Sequence, residues 1–319
     1  MKCALNKIVG TACLLLSMTA HATYNEGDAA YEEHDCASDL KESEALASRG
    51  YASAQFNLGQ IYINACGVPQ DYKEAAKWFL LAADQGNAKA QFNLGVMYAT
   101  GQGVPQDYKE AAKWYRLAAD QGHVGAQSNL GALYEKGQGV PQDSGEAAKW
   151  YRLAAGQGDV AAQCYLGLIY EKGRGVPQDA KEAVKWYRLA ATQGFAQAQS
   201  NLGVMYATGQ GVPQDDKEAV RWFRLAADKG NADGQNNLGV SYVAGRGVIQ
   251  KSRVIAFALF NLSASNNPSA VNLSATDRKG AAANRDNLSL SMSAAEIAKG
   301  QSLSREMSKP GMLLKVLNR

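Results

Sequence analysis

The stretch AQFNLGVMYATGQGVPQDYKEAAKWYRLAADQGH (residues 90–123) recurs on both sides of itself at a spacing of 36. All five tryptophans keep that register: Trp78, Trp114, Trp150, Trp186 and Trp222. A period of this length signals stacked supersecondary units, each burying its apolar face against the next. The architecture therefore follows from one unit and from the ways its copies depart from it.

Within the unit, residues 88–100 predict a first helix, A. Ala90, Leu94 and Tyr98 recur every four residues and give one apolar stripe. Gly95 costs a helix interior about 1 kcal/mol relative to Ala. Glycine nevertheless returns at 59, 131, 167, 203 and 239, which predicts a neighbouring helix crossing there with no room for a Cβ. The segment GQGVPQ (101–106) ends helix A. Gly101 supplies a left-handed stop, Gly103 a second tight bend, and Pro105 holds Val104 extended. This Gly-x-Gly is not a phosphate loop, because it follows a helix rather than a strand and lacks a Lys-Ser/Thr.

A second helix, B, opens at Asp107 with Glu110 three residues on, the spacing of a capping box. The same pair stands at Asp71/Glu74, Asp143/Glu146, Asp179/Glu182 and Asp215/Glu218. These carboxylates are therefore assigned to helix ends, not to acid–base chemistry. Ala111, Trp114 and Ala118 form the expected buried stripe of B, with Trp as its largest packing contribution.

Both ends of the array are atypical, as terminal repeats usually are. ALASRGYASAQ (45–55) aligns with LAADQGNAKAQ (81–91), which makes residues 36–53 a leading half-unit. Residues 54–266 then hold the repeats. The sixth unit keeps Leu238, Gly239, Tyr242, Gly245 and Gly247 but lacks the capping Asp. Ser252 is its expected N-cap, and Leu259 stands in the place of Trp. Residues 267–319 predict two capping helices, 277–290 and 294–308, the second with a Ser293/Glu296 capping box, and then a frayed tail.

The first 22 residues combine Lys2 and Lys7, an apolar run from Ile8 to Met18, and Ala20-His21-Ala22. That order predicts a secretory signal peptide cleaved before Thr23, with an apolar run too short to span a bilayer. Without Lys2 and Lys7 the chain carries 31 basic against 30 acidic residues, a balance that speaks against nucleic-acid binding. Residues 23–35 are polar, and Glu32-Glu33-His34-Asp35 reads as a solvated turn. Cys36, Cys66 and Cys164 follow the cleavage site; in an oxidising compartment Cys36 and Cys66 can form one disulfide. Closing such a loop of about 30 residues is worth about 3–4 kcal/mol on the chain-entropy account. Three cysteines without a CxxC, and almost no His, predict neither metal nor cofactor.

The succession Ala90, Leu94, Gly95, Tyr98, Gly101, Gly103, Val104, Asp107, Ala111, Trp114, Ala118, Ala119 and Gly122, repeated across residues 36–266, closely resembles the Sel1-like repeat, a relative of the tetratricopeptide repeat. The resemblance implies an all-α fold, a right-handed α/α solenoid of six 36-residue repeats with helix A on the concave side. Exported bacterial members of the family resemble interaction scaffolds. They include envelope regulators, host-contact and virulence factors, and immunity proteins opposing phospholipase effectors of the type VI secretion system. The function implied is an exported, monomeric, non-enzymatic scaffold, periplasmic or secreted, that holds a protein or peptide partner. A cysteine-rich subgroup is associated with penicillin binding and β-lactam hydrolysis. This chain lacks its paired cysteines, and Ser38-x-x-Lys41 has no Lys-Thr-Gly after it.

Partner contacts are expected on the second face of helix A. One position reads Asn57, Asn93, Asn129, Tyr165, Asn201 and Asn237. Such a ladder of amides can grip a peptide backbone or serve hydrogen bonds between helices. Specificity is expected where units differ: Phe56, Phe92, Ser128, Cys164, Ser200 and Asn236 at one position, Gln60, Val96, Ala132, Leu168, Val204 and Val240 at another. Phe56 and Phe92 are either exposed anchors or fillers between adjacent A helices. Gln55, Gln91, Gln127, Gln163, Gln199 and Gln235 do not vary, and a position shared by every unit is assigned to structure.

Overall fold

The computed structural model describes residues 36–248, 250–265 and 275–318. The signal segment 1–22, the polar stretch 23–35 and the loop 266–274 lie outside these residues, as do the side chains of 36–39 and 275–279. The described residues form helices and no strand. The half-unit is α1 (Cys36–Ala47). Six A–B pairs follow: α2 (Ala52–Asn64) and α3 (Tyr72–Asp84), α4 (Ala88–Thr100) and α5 (Tyr108–Asp120), α6 (Val124–Lys136) and α7 (Ser144–Gly156), α8 (Val160–Lys172) and α9 (Ala180–Thr192), α10 (Ala196–Thr208) and α11 (Asp216–Asp228), α12 (Ala232–Ala244) and α13 (Arg253–Ser265). The chain ends in α14 (Ala275–Ser289), α15 (Ala294–Met307) and α16 (Leu313–Leu317). The fold is an all-α solenoid of consecutive repeats. Its described residues fall into two compact units, an N-terminal one ending at Ala162 and including Arg174–Val176, and a C-terminal one of Gln163–Gly173 and the residues from Pro177 onward.

The recurring helix-A glycine has the reason its spacing predicts. Gly59 lies under Phe79, Gly95 under Tyr115, Gly131 under Tyr151, Gly167 under Tyr187, Gly203 under Phe223 and Gly239 under Phe260. A Cβ at these positions would stand 2.5–3.0 Å from the nearest ring carbon. In the first five repeats the ring belongs to the residue after the Trp, so the glycine makes room for that ring and not for the Trp, although Trp114, Trp150 and Trp222 are themselves buried. Phe79, Tyr115, Tyr151 and Tyr187 are among the largest fully buried side chains, while Trp78 and Trp186 are half-buried. Adjacent helical residues point about 100° apart. One aromatic therefore meets its own helix A, and the Trp before it meets the preceding repeat: Trp114 joins the cluster of Ala75, Phe79 and Ala82, and Trp150 that of Ala111, Tyr115 and Ala118.

Helix B starts as expected in one half only. Asp71 accepts the N–H groups of Lys73 and Glu74 at 2.8 and 3.1 Å, and Asp107, Asp143, Asp179 and Asp215 cap in the same way. The Glu does not reach back, because the Asp N–H is already used: Asp71 donates to the Tyr62 carbonyl (3.0 Å) and Asp107 to that of Tyr98 (2.9 Å). The freed Glu pairs instead with the cation three residues on, as in Glu110–Lys113 and Glu218–Arg221. Such exposed pairs contribute a few tenths of a kcal/mol. Ser293 and Glu296 do close a complete box at α15, and Ser252 accepts the Ile255 N–H (3.2 Å) as the expected N-cap of α13.

Successive repeats are joined by a glutamine relay. Gln91 Nε2 donates to the Ala83 carbonyl (3.1 Å), and its Oε1 accepts from Gln121 Nε2 (2.7 Å). Gln55 with Gln85 and Gln127 with Gln157 repeat the arrangement, so the invariant glutamines are structural. The second loop glycine belongs to the same joint. Gly103 has φ +73° and lies against the Tyr72 carbonyl at the start of α3, where a Cβ would overlap backbone.

The C-terminal unit departs from expectation at its tail. α16 is not frayed: Leu313 and Val316 are buried in the cluster that holds Phe223, Leu259 and Met307, and Arg224 of α11 donates to Asn318. Four of its five residues, Leu313, Leu314, Val316 and Leu317, are apolar and give even this one-turn helix a face to bury.

Candidate partner-binding face

The ten side chains expected to meet a partner divide by exposure. Phe56, Asn129, Tyr165 and Asn201 are partly exposed and Asn57 is exposed. Gln60, Phe92, Asn93, Val96 and Asn237 are buried; for Phe92 and the two asparagines this is the filler and interhelix reading, and for Gln60 and Val96 it corrects their placement on an open surface. In the N-terminal unit Gln60, Phe92, Asn93 and Val96 lie in the seam between one helix A and the next. Asn93 Nδ2 donates across it to Gln60 Oε1 (3.3 Å). In the C-terminal unit Asn201 Nδ2 approaches the buried Cys164 Sγ at 3.9 Å and its Oδ1 accepts from Gln197 (3.2 Å). Part of the amide ladder thus holds A helices together.

Phe92 is 8% exposed and stacks on His123, ring centroids 4.5 Å apart and 22° from parallel. His123 is the N-cap of α6, its Nδ1 accepting the Ala126 N–H at 3.2 Å. Burial, and then the Lys89 ammonium, hold this imidazole below its ordinary pKa. Phe56 is more open, tilted against Phe79 at 5.8 Å with Lys89 Nζ 5.9 Å from its ring centroid. Burial also lowers the pKa of Lys136 near the end of α6.

A further line on the same expected face, at position 53 of the first unit, stays open although none of its residues is among the expected contacts. Ser53 and Lys89 are exposed and Gly125 and Ala161 partly so in the N-terminal unit, as are Gln197 and Asp233 in the C-terminal unit. No two of these six are alike, and that refusal to repeat was the available signal. Gln197 spans to Asp233 (3.0 Å) and accepts from Asn231 (3.0 Å). Of the two expected disulfide partners, Cys66 is disulfide-bonded, and the Cys36 side chain lies outside the described residues. So does that of Ser38. No helix among the described residues is long and apolar enough to cross a membrane.

The Sel1 repeat matches this chain in six consecutive stretches, residues 52–87, 88–123, 124–159, 160–195, 196–231 and 232–268. A crystal structure of a Sel1 repeat protein from Oxalobacter formigenes is similar at 33% identity, over 73% of this chain and 97% of that one, with a TM-score of 0.62. A protective antigen of uropathogenic Escherichia coli strains displaying an SLR fold has 25% identity over 86% of this chain and 80% of its own, TM-score 0.43. An immunity protein from Pseudomonas aeruginosa has 21% identity over 81% and 83%, TM-score 0.37. The comparison with curated proteins gives no match. With six matched repeats over most of its length and a solved relative of the same kind, the chain belongs to the Sel1 repeat family.

Proposed function

We propose that this Sel1 repeat protein is an exported, non-enzymatic scaffold of the cell envelope that holds a protein or peptide partner on its A helices. Its role is that of a regulator or of an immunity protein against a type VI phospholipase effector. One observation carries the reading: most repeated side chains are spent on packing and on joints, while a set of non-repeating ones on helix A stays open. Ser53, Phe56 and Lys89 are such positions in the N-terminal unit, and Tyr165, Gln197 and Asp233 in the C-terminal unit. Rigid helices presenting varied side chains suit binding by many modest contacts without rearrangement. Export is supported by the N-terminal sequence and by the bonded state of Cys66, since disulfides persist in oxidising compartments.

A photo-crosslinking residue at Asn57 or Tyr165, with Leu153 on helix B as control, tests this in the cell envelope. The expected result is one protein crosslinked from helix A and not from Leu153. Crosslinks from Leu153 alone, or none, refute the surface. A captured phospholipase assigns immunity, an inner-membrane signalling protein assigns regulation, and recovery of the chain outside the outer membrane assigns host contact instead. A mature chain that does not begin at Thr23 refutes the export step.

A further inference from the structure

Two joints between B helices carry an arginine clasp. In the N-terminal unit Arg116 of α5 donates to the Tyr134 hydroxyl. Its guanidinium carbon lies 5.6 Å from the Tyr134 ring centroid and 5.4 Å from that of Trp150. In the C-terminal unit Arg188 donates to the Tyr206 hydroxyl at 2.9 Å. At the first joint the aromatic walls are present as Tyr98 and Trp114, but the residue 36 places before Arg116 is Leu80.

That joint holds a cleft of about 530 Å³ between α3 and α5, lined by ten residues that include Leu80, Asp84, Tyr98, Glu110, Trp114 and Leu117. Moving each of the ten forward by 36 returns the same residue type in nine cases; only Leu80 changes, to Arg116. The cleft is thus the clasp without its cation. Lys113 stands 5.4 Å from the Trp114 ring centroid and pairs with Glu110 at the exposed rim (3.4 Å). Its counterpart Lys149 pairs with Glu146 in the same way at the joint that Arg116 fills, so this lysine does not take the guanidinium's place.

We propose that the cleft receives an arginine side chain from a partner polypeptide, held between Tyr98 and Trp114 as Arg116 is held between Tyr134 and Trp150. A guanidinium is planar and carries donors at its edge, so it can lie over an indole while donating to a phenol oxygen. Leu80, itself without a donor, and Leu117 flank the aliphatic stem. Asp84 and Glu110 set negative charge at the mouth. The site lies on the helix-B side and stands whether or not helix A holds a partner.

The probe is a blocked Gly-Arg-Gly tripeptide titrated into the full mature chain while the indole N–H signals are followed by NMR. Trp114 Nε1 is buried, so its signal, assigned by its loss in Trp114→Phe, reports on the ring surroundings. It should shift saturably at millimolar peptide, and the neutral citrulline analogue should bind about tenfold more weakly or worse. Leu80→Arg fills the cleft from within and should abolish the response. Arg116→Leu opens an equivalent cleft, and Trp150 should then respond as well. An unmoved Trp114 signal, an equal response to citrulline, or a response that survives Leu80→Arg overturns the proposal. Should Leu80→Arg fail to fold, a silent Trp150 in Arg116→Leu overturns it.

Discussion

His123 stands at the helix start where Asn87 and Asn231 serve other repeats, and it does the same work with a titratable ring. Neutral Nδ1 accepts the Ala126 N–H; protonated, it becomes a second donor facing a donor. Burial and Lys89 depress its pKa in the folded chain, whereas the unfolded chain titrates near the ordinary value of about 6.5. The contribution to stability is therefore complete above that value and is lost as pH falls from it through the depressed folded one. Urea unfolding at several pH values should show stability declining below about pH 6.5 in the native chain. The decline should be smaller in His123→Asn, which keeps a cap that cannot titrate. Equal declines in the two would assign the pH dependence elsewhere.

At the scale of the helix, the glutamine relay fails at one joint. Gln85, Gln121, Gln157 and Gln193 each donate to the glutamine 30 residues earlier. The next in register is Lys229, which donates to the Gly194 carbonyl instead (2.8 Å), leaving Gln199 Oε1 buried without a partner. Gln157 makes both kinds of bond, so Lys229→Gln should restore the relay and raise the unfolding free energy by about 1 kcal/mol. A denaturation midpoint that stays put or falls would show that the orphaned oxygen costs nothing.

These elements also show what could be read in advance. The helix limits, the crowded glycines and the Asp caps were legible because each depends on residues within one unit. Whether Trp114 or Tyr115 faces its own helix A was not, since both lie on the apolar side and the angle between helices decides. For Phe92 and Asn93 the sequence left burial and exposure both open for the same reason: what decides is the neighbouring helix A, 36 residues away. The Glu110 half of the capping box was misread because Tyr98, not local in sequence, takes the N–H that Glu would have used. The varied line through Ser53 and Lys89 was legible as part of the second face of helix A, but its openness, unlike that of the position of Phe56, depends on how far the next helix A stands away.

For the whole molecule, repeats that touch only their neighbours make stability local. The α16 turn closes the end of the C-terminal unit by burying Leu313 and Val316 against α11 and α13 residues. Leu313→Ala should therefore cost the last repeats about 2–4 kcal/mol. Amide hydrogen exchange should speed up across 216–265 and stay unchanged across 52–120. Faster exchange throughout would mean that the chain unfolds as one cooperative block. The glutamine relay has a consequence for how such a chain can grow. Because the bonds leaving residue 123 match those entering residue 88, an in-frame duplication of 88–123 would bring its own correctly spaced partners to both new seams. Lengthening the protein would then require no invention of interfaces, only a copying error, except at the Lys229 joint, where a duplicate would carry the missing hydrogen bond along with it.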